Sequence, residues 1–313
     1  MIIKLKDYNN YVYDKIRYFI RIKHWDISLH DVDFWLKNFV AEDENSLAFH
    51  LLDNFLFYSE KENKALAQRL LRLLNNKLWL DSFRSTGQIL SEDELSQALS
   101  DFYSTTAFTF IEGEGRKPTD SGYRMISLLR HCGINERQIF HPKEVLQLLL
   151  DNTYRNVVFF DDFIGSGDQC ITFWYRGIFE EKYASIFGES FAEISEQFTD
   201  VSYYYLALVG TSHGINEINR IIPNLLVIPG ELLKSEQCIF KNQSLWDNSD
   251  EMKEAFEIYK SRICPRIGIS EKDEYLGHGN LGLSIGFSHC IPDNSLPVFH
   301  SDKNGWNPLM RRP

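Results

Sequence analysis

The stretch "NVVFFDDFIGSGDQ", Asn156 to Gln169, places two adjacent carboxylates, Asp161 and Asp162, between an apolar run and a small-residue turn, Gly165-Ser166-Gly167. Each residue type there has its own chemistry. Carboxylates accept hydrogen bonds from hydroxyl groups. Glycines let a backbone approach a ligand closely, and amides at the start of a helix, aligned with its dipole, attract anions. Ser166 adds a hydroxyl donor. A ribose phosphate carries both hydroxyls and an anion, so the pattern suits sugar oxygens held by the acids and a phosphate held by the turn. A plain buried strand with an acidic turn and a capped helix would use the same residues, and the surrounding elements have to separate the two readings.

Those elements alternate. "TAFTFIEG", around Thr106 to Gly113, is short, β-branched and aromatic, as a buried strand is. "GYRMISLLRHCG" reads as a helix closed by Gly133, and "HPKEVLQLLLDN" as a helix with Pro142 in its first turn. "NVVFFDD" is a second strand and "QCITFWYRGIFEEKYASIF" a helix. "SYYYLALVG", "GINEINRII" and "NLLVIPG" continue as strand, helix and strand. Short connections between alternating elements predict a parallel sheet with helices on its faces and right-handed crossovers. In open sheets of that class ligands bind beyond the carboxyl ends of the strands, where this reading places Asp161 and Asp162.

The first hundred residues read as helical. Val32, Trp35, Leu36, Phe39 and Val40 recur at helical spacing, as do Leu47, Leu51, Leu52, Phe55 and Leu56, and "NKALAQRLLRLL" gives a third stripe. "SEDEL" supplies an N-cap at Ser91. Trp35 and Phe39 fit a bundle core better than a partner surface. The last forty residues are rich in turn formers and aromatics, and read as an ordered extension packed on the α/β domain with Phe299 and Trp306 as anchors. The expected segments are therefore a helical domain over 1–104, an α/β domain over 105–230 and an irregular C-terminal extension over 231–313.

Composition excludes several classes. A net charge of −11 repels phosphate backbones, so direct nucleic-acid binding through bulk charge is disfavoured. The N-terminus lacks the apolar core of a signal peptide, and nothing reaches the length of a membrane span. Five scattered cysteines without a CxxC pair suit reduced thiols in a cytoplasm. No GxSxG, Walker A loop or GxGxxG is present. His278, His289 and His300 match no metal-ligand pattern, His213 reads as a surface histidine in a polar turn, and Cys170 as an inert thiol facing the sheet. Arg311 and Arg312 read as a solvated tail end.

The stretch from Asn156 to Gln169 resembles the phosphoribosyl-pyrophosphate motif of type I phosphoribosyltransferases: an apolar run, two acids, two further residues and a small-residue loop. The resemblance implies that Asp161 and Asp162 contact ribose hydroxyls and that Gly165, Ser166, Gly167, Asp168 and Gln169 line the 5′-phosphate loop. "RKPTDSG" follows the first strand, where such enzymes keep a pyrophosphate loop. It offers Arg116 and Lys117 as charges, with Asp120, Ser121 and Gly122 opening the next helix, although a solvated loop with a helix cap reads equally well. Mg²⁺ would then bridge pyrophosphate and ribose hydroxyls without a direct protein ligand, and the acids would steady positive charge at the anomeric carbon.

"FWLKNF", "LLDNFLFYS" and the closing "PDNSLPVFHSDKNGWNPLMRRP" are similar to a narrower group, the phosphoribosyltransferase-like proteins of bacterial conflict and defence operons, some encoded beside retron reverse transcriptases. That similarity implies neighbour-encoded partners such as a reverse transcriptase or a toxin. The chain departs from the enzyme pattern at two places. Asp168 and Gln169 stand where active enzymes usually carry glycine and threonine, so Asp168 either faces a bound phosphate or caps the helix itself. "HPKEVLQLLLDN" occupies the interval where a hairpin lid is kept. Three readings stay open: an active Mg²⁺-dependent transferase or glycosidic-bond enzyme, a silent sensor of a phosphoribosyl or nucleotide ligand, and a subunit acting through protein contacts.

Overall fold

The periodic stripes of the first hundred residues become helices α1 (Leu5–Arg21), α2 (Leu29–Leu36), α3 (Glu42–Asp53), α4 (Glu60–Thr86) and α5 (Glu92–Ser104) in a computed structural model that describes residues 5–113, 121–179, 181–234, 238–270 and 274–312. Ser91 caps α5 through a reciprocal capping box with Glu94. The α2 stripe stops short of its expected end: the chain leaves the helix after Leu36, and Val40 is 85% exposed. A short strand that periodicity did not reveal, β1 (Leu56–Tyr58), follows α3 and takes up Leu56.

The alternating region forms β2 (Thr106–Phe110), α6 (Ser121–His131), α7 (Pro142–Leu150), β3 (Asn156–Ile164), α8 (Asp168–Tyr175), α9 (Glu181–Phe187), α10 (Phe191–Gln197), β4 (Ser202–Thr211), α11 (Ser212–Ile221) and β5 (Leu225–Leu233). The single helix expected over Gln169–Phe187 is two, α8 and α9, because the chain turns at Arg176–Gly177, and after Gly188, whose φ is +98°, a further helix that the sequence did not reveal, α10, precedes β4. The four strands are parallel and lie in the order β2-β3-β4-β5. An isolated parallel bridge from Ile139 to Phe108 extends the sheet beyond β2 on the side away from β3.

One face of the sheet, carrying Val157, Phe159, Tyr203, Tyr205 and Ala207, is covered by α7, α8, α10 and α11 through residues such as Leu146, Phe173, Trp174, Phe191 and Ile218. The other face receives α5, where Phe102 meets Tyr204 edge-on and Tyr103 stacks on Phe108, and α4, whose Leu70 lies against Gly230. Burying both faces of a parallel sheet in this way explains the near-continuous apolar strands.

The chain forms two compact units, Met1–Asn63 with Lys234–Pro313, and Lys64–Leu233. This differs from the three segments read from the sequence. Most of α4 and all of α5 belong with the sheet, whereas the C-terminal segment forms one core with α1–α3. Strand β6 (Ile285–Phe287) pairs in parallel with β1. Phe299 stacks on Trp35, Trp306 meets Phe39 edge-on, and both indoles donate to the Val298 carbonyl, at 2.8 and 3.1 Å. Phe299 and Trp306 are anchors as expected, and the surface they anchor to is that of the N-terminal helices. Helical stripes announce that a face is buried without naming what buries it. The same contacts place Trp35 and Phe39 in a core.

Candidate functional site

The order Ile139-β2-β3-β4-β5 contains a reversal. From β2 the chain moves outward through α6 to Ile139, then returns through α7 to β3, and from β3 it moves the other way to β4. Such a switch point opens a crevice between the carboxyl ends of the two strands from which the chain departs in opposite directions. Here those strands are β2 and β3.

Asp161 and Asp162 lie at this crevice, although not at the end of their own strand. β3 continues to Ile164, paired with β4 as far as Gly210. The last pair on the other side is Phe110 with Phe160. The two acids are thus the first residues of β3 to run past β2, on an edge the shorter strand leaves open. The Asp162 N–H donates to Asp161 Oδ1 at 2.9 Å, so a carboxyl oxygen satisfies an amide on that edge.

Asp161 is committed to the interior. It is 1% exposed, and its Oδ2 accepts the Tyr205 hydroxyl at 2.9 Å. Burial, and then repulsion from neighbouring Asp162, hold its carboxyl well above the usual carboxylate range, against the opposing pull of the Tyr205 hydroxyl and the Asp162 amide. Burial first, and then the Asp161 charge, push the Tyr205 hydroxyl upward as well. Asp162 is also buried, at 6% exposure.

Gly165, Ser166 and Gly167 form the turn between β3 and α8 and are buried, whereas Asp168 and Gln169 are exposed at the start of α8. Gly167 is the N-cap, with φ +92°, and no side chain caps α8. Asp168 is therefore not the cap of its helix. Its carboxylate accepts the Ser166 hydroxyl at 2.7 Å, and its own N–H donates back to Ser166 Oγ at 3.3 Å. The turn is seated on the start of α11: Thr211 donates its hydroxyl to the Gly165 carbonyl and accepts the Gly214 N–H at 3.0 Å. A Cβ on Gly214 would stand 2.2 Å from the Gly165 oxygen, and one on Gly167 2.8 Å from the Gly214 oxygen. Glycine is required at both positions by backbone-to-backbone approach.

On the β2 side, Glu112 is buried between His141 and Arg176. His141 Nε2 lies 3.0 Å from Glu112 Oε1 and Arg176 Nη2 3.2 Å from Oε2, while Arg176 Nη1 donates to the Gly113 carbonyl at 3.1 Å. His141 Nδ1 accepts the Lys143 N–H and caps α7. This clasp ties the end of β2, the start of α7 and the end of α8 together.

Of the pyrophosphate-loop candidates, Arg116, Lys117 and Asp120 lie outside the described residues. Ser121 and Gly122 open α6 as expected, with side chains outside the description. His213 is exposed at the start of α11, and Cys170 is buried against the sheet, where burial raises its thiol strongly. Tyr205, Thr211, Glu112 and Arg176 were not singled out from the sequence. Thr211 alone carried a local signal, a hydroxyl residue just before a helix start. The others depend on pairings across the sheet.

A Mg²⁺ brought by a pyrophosphate ligand would find Asp162 and the turn at the crevice. Asp161 does not fit a ligand role, because it is 1% exposed and tied to the Tyr205 hydroxyl and the Asp162 amide.

The fold defines a parallel α/β protein with a topological switch point between β2 and β3. A family model, PRTase-CE, matches residues 32–312, and the chain belongs to that family of phosphoribosyltransferase-like proteins. No curated protein and no solved structure matches the chain. Among the described residues no helix is long and apolar enough to cross a membrane.

Proposed function

We propose that this chain is a ligand-reading component of a bacterial anti-phage defence system, of the kind encoded beside retron reverse transcriptases. In this reading the crevice beyond β2 and β3 binds a phosphoribosyl or nucleotide ligand without turning it over. Asp162 and the Gly165–Gly167 turn supply the contacts, joined by Ser166 when its hydroxyl leaves Asp168. Mg²⁺ enters only with a pyrophosphate-bearing ligand. The defence setting and a neighbour-encoded partner rest on the similarity of the "FWLKNF" and C-terminal segments to the conflict-operon group. A cytoplasmic site of action is supported by five cysteines that form no disulfide.

The observation that carries the silent reading is the Tyr205–Asp161 hydrogen bond in a fully buried site. A transferase of this type relies on two ionised acids at the sugar. Here one of them is an interior prop whose charged form is disfavoured, and it satisfies a backbone amide. Asp168 adds a negative charge where a 5′-phosphate would rest, which weakens phosphate binding and favours modest affinity over turnover.

The test is calorimetric titration of phosphoribosyl pyrophosphate with Mg²⁺, and of nucleoside monophosphates, into wild type and Asp162→Asn, alongside a pyrophosphate-release assay on long incubation. Binding that Asp162→Asn weakens, with substrate intact, supports the reading. Pyrophosphate release lost in Asp162→Asn overturns it in favour of an active enzyme. Absence of binding overturns it in favour of a subunit acting through protein contacts.

A further inference from the structure

A second concave site lies away from the crevice, near the amino end of β2. It is a groove of about 540 Å³, within the range of small-molecule sites, between α4, the end of α5 and the segment that follows α6. Its apolar floor is formed by Leu71 and Ile134, both buried. Its rim is unusually rich in amides: Gln68, Asn75, Asn135 and Gln138, together with Arg72.

The hydrogen bonds already made there define what remains to be offered. Tyr103 donates its hydroxyl to Asn75 Oδ1 at 2.8 Å, which fixes the orientation of that amide and leaves its Nδ2 donor group over. Asn135 Oδ1 accepts the Arg137 N–H at 3.0 Å, which likewise leaves its Nδ2. Gln138 Nε2 donates to the Tyr103 carbonyl and leaves its Oε1 as an acceptor. Arg72 uses Nε on the Gln68 carbonyl at 3.3 Å, so both terminal nitrogens of the guanidinium are left over. The groove thus combines an exposed arginine, two amide donors and one amide acceptor above an apolar floor.

We propose that this groove is a second ligand site, for a small organic anion of mononucleotide size. The phosphate would lie against the Arg72 guanidinium, which suits a phosphate through its paired donors. The planar base would lie on Leu71 and Ile134, with its edge read by Asn75, Asn135 and Gln138. Amides that offer both donor and acceptor atoms read base edges in the same way elsewhere. The site shares no residue with the β2–β3 crevice, and its occupancy does not depend on what that crevice binds. It is nonetheless coupled to the sheet: Gln138 precedes the Ile139 bridge to Phe108, and Tyr103 stacks on Phe108.

The test titrates AMP, GMP, CMP and UMP, each alone, and inorganic phosphate, into wild type, Arg72→Ala, Asn75→Ala and Asp162→Asn, read by calorimetry and by chemical-shift changes. Arg72 is exposed, so Arg72→Ala keeps the fold, which a thermal melt verifies. The expected result is a mononucleotide-binding event that persists in Asp162→Asn, whatever the crevice itself takes up, and that Arg72→Ala and Asn75→Ala each weaken roughly tenfold. Inorganic phosphate binding as tightly as any mononucleotide, mononucleotide binding indifferent to both groove variants, or no binding at millimolar ligand would each overturn the proposal. Binding abolished by Asp162→Asn alone would place the ligand in the crevice and overturn this site while supporting the other.

Discussion

Replacing Asp161 with asparagine should stabilise the protein near neutral pH, although the same change in a sugar-gripping acid pair would be read only as a loss. The introduced amide keeps the shape and both contacts: its oxygen accepts the Asp162 N–H, and its nitrogen donates to the Tyr205 oxygen. Asp161 has a folded-state pKa raised above its ordinary value of 3.8, mainly by burial. Between pH 3.8 and its raised folded pKa it therefore holds a proton that the unfolded chain has released. The stability tied to this group is fully present below about pH 3.8 and is lost as pH rises towards the folded pKa. Asparagine has no proton to lose. The difference in unfolding free energy, variant minus wild type, should therefore climb with pH across that window, by up to about 1.4 kcal/mol per unit. Urea unfolding at about pH 4, 5.5 and 7 reads this difference, with the variant expected to be the more stable by upward of ~1 kcal/mol at the highest pH. A difference that does not change with pH, or a variant less stable than wild type at neutral pH, refutes the argument that Asp161 is a buried, proton-holding prop.

Tyr205→Phe removes the hydroxyl from Asp161 while keeping the ring, and should cost about 1–3 kcal/mol in the same unfolding assay. Gly214→Ala drives a methyl into the Gly165 carbonyl, so it should lower stability by about 1–3 kcal/mol and weaken any crevice ligand, read by melting and calorimetry together. Arg176→Ala strands buried Glu112 beside His141 and should cost about 3 kcal/mol, whereas Glu112→Gln should cost less, because the Arg176 charge it unpairs is 19% exposed and keeps its bond to the Gly113 carbonyl. Trp35→Ala empties the centre of the Phe39–Phe299–Trp306 cluster and should cost about 3–5 kcal/mol, measured by urea unfolding.

Much of the architecture was legible because its signals are local. The apolar runs of β2 to β5, the Ser91 capping box, Pro142 at the start of α7 and Gly133 after α6 all act within a few residues, and each is found where its chemistry predicts. The glycine turn and its acids were legible for the same reason. What was hidden depends on long-range pairing. β1 is three residues long and exists because β6, over two hundred residues later, pairs with it. The grouping of the C-terminal segment with α1–α3 required knowing that Phe299 and Trp306 meet Trp35 and Phe39. At the site, Asp161 and Asp162 have equal standing in the bare motif. The structure separates them because Tyr205 arrives from β4 at the right register to bind Asp161, while β2 ends opposite Phe160 and pairs with neither acid. Asp168 was open between facing a phosphate and capping α8, and its partner is Ser166, which neither reading had considered.

The most direct test of the proposed function is titration of phosphoribosyl pyrophosphate with Mg²⁺ into the wild-type chain, with pyrophosphate followed in the same samples over many hours. Saturable heat with no pyrophosphate above the buffer control is the predicted result. Steady release of pyrophosphate, abolished by Asp162→Asn, contradicts the account and makes the crevice an active site.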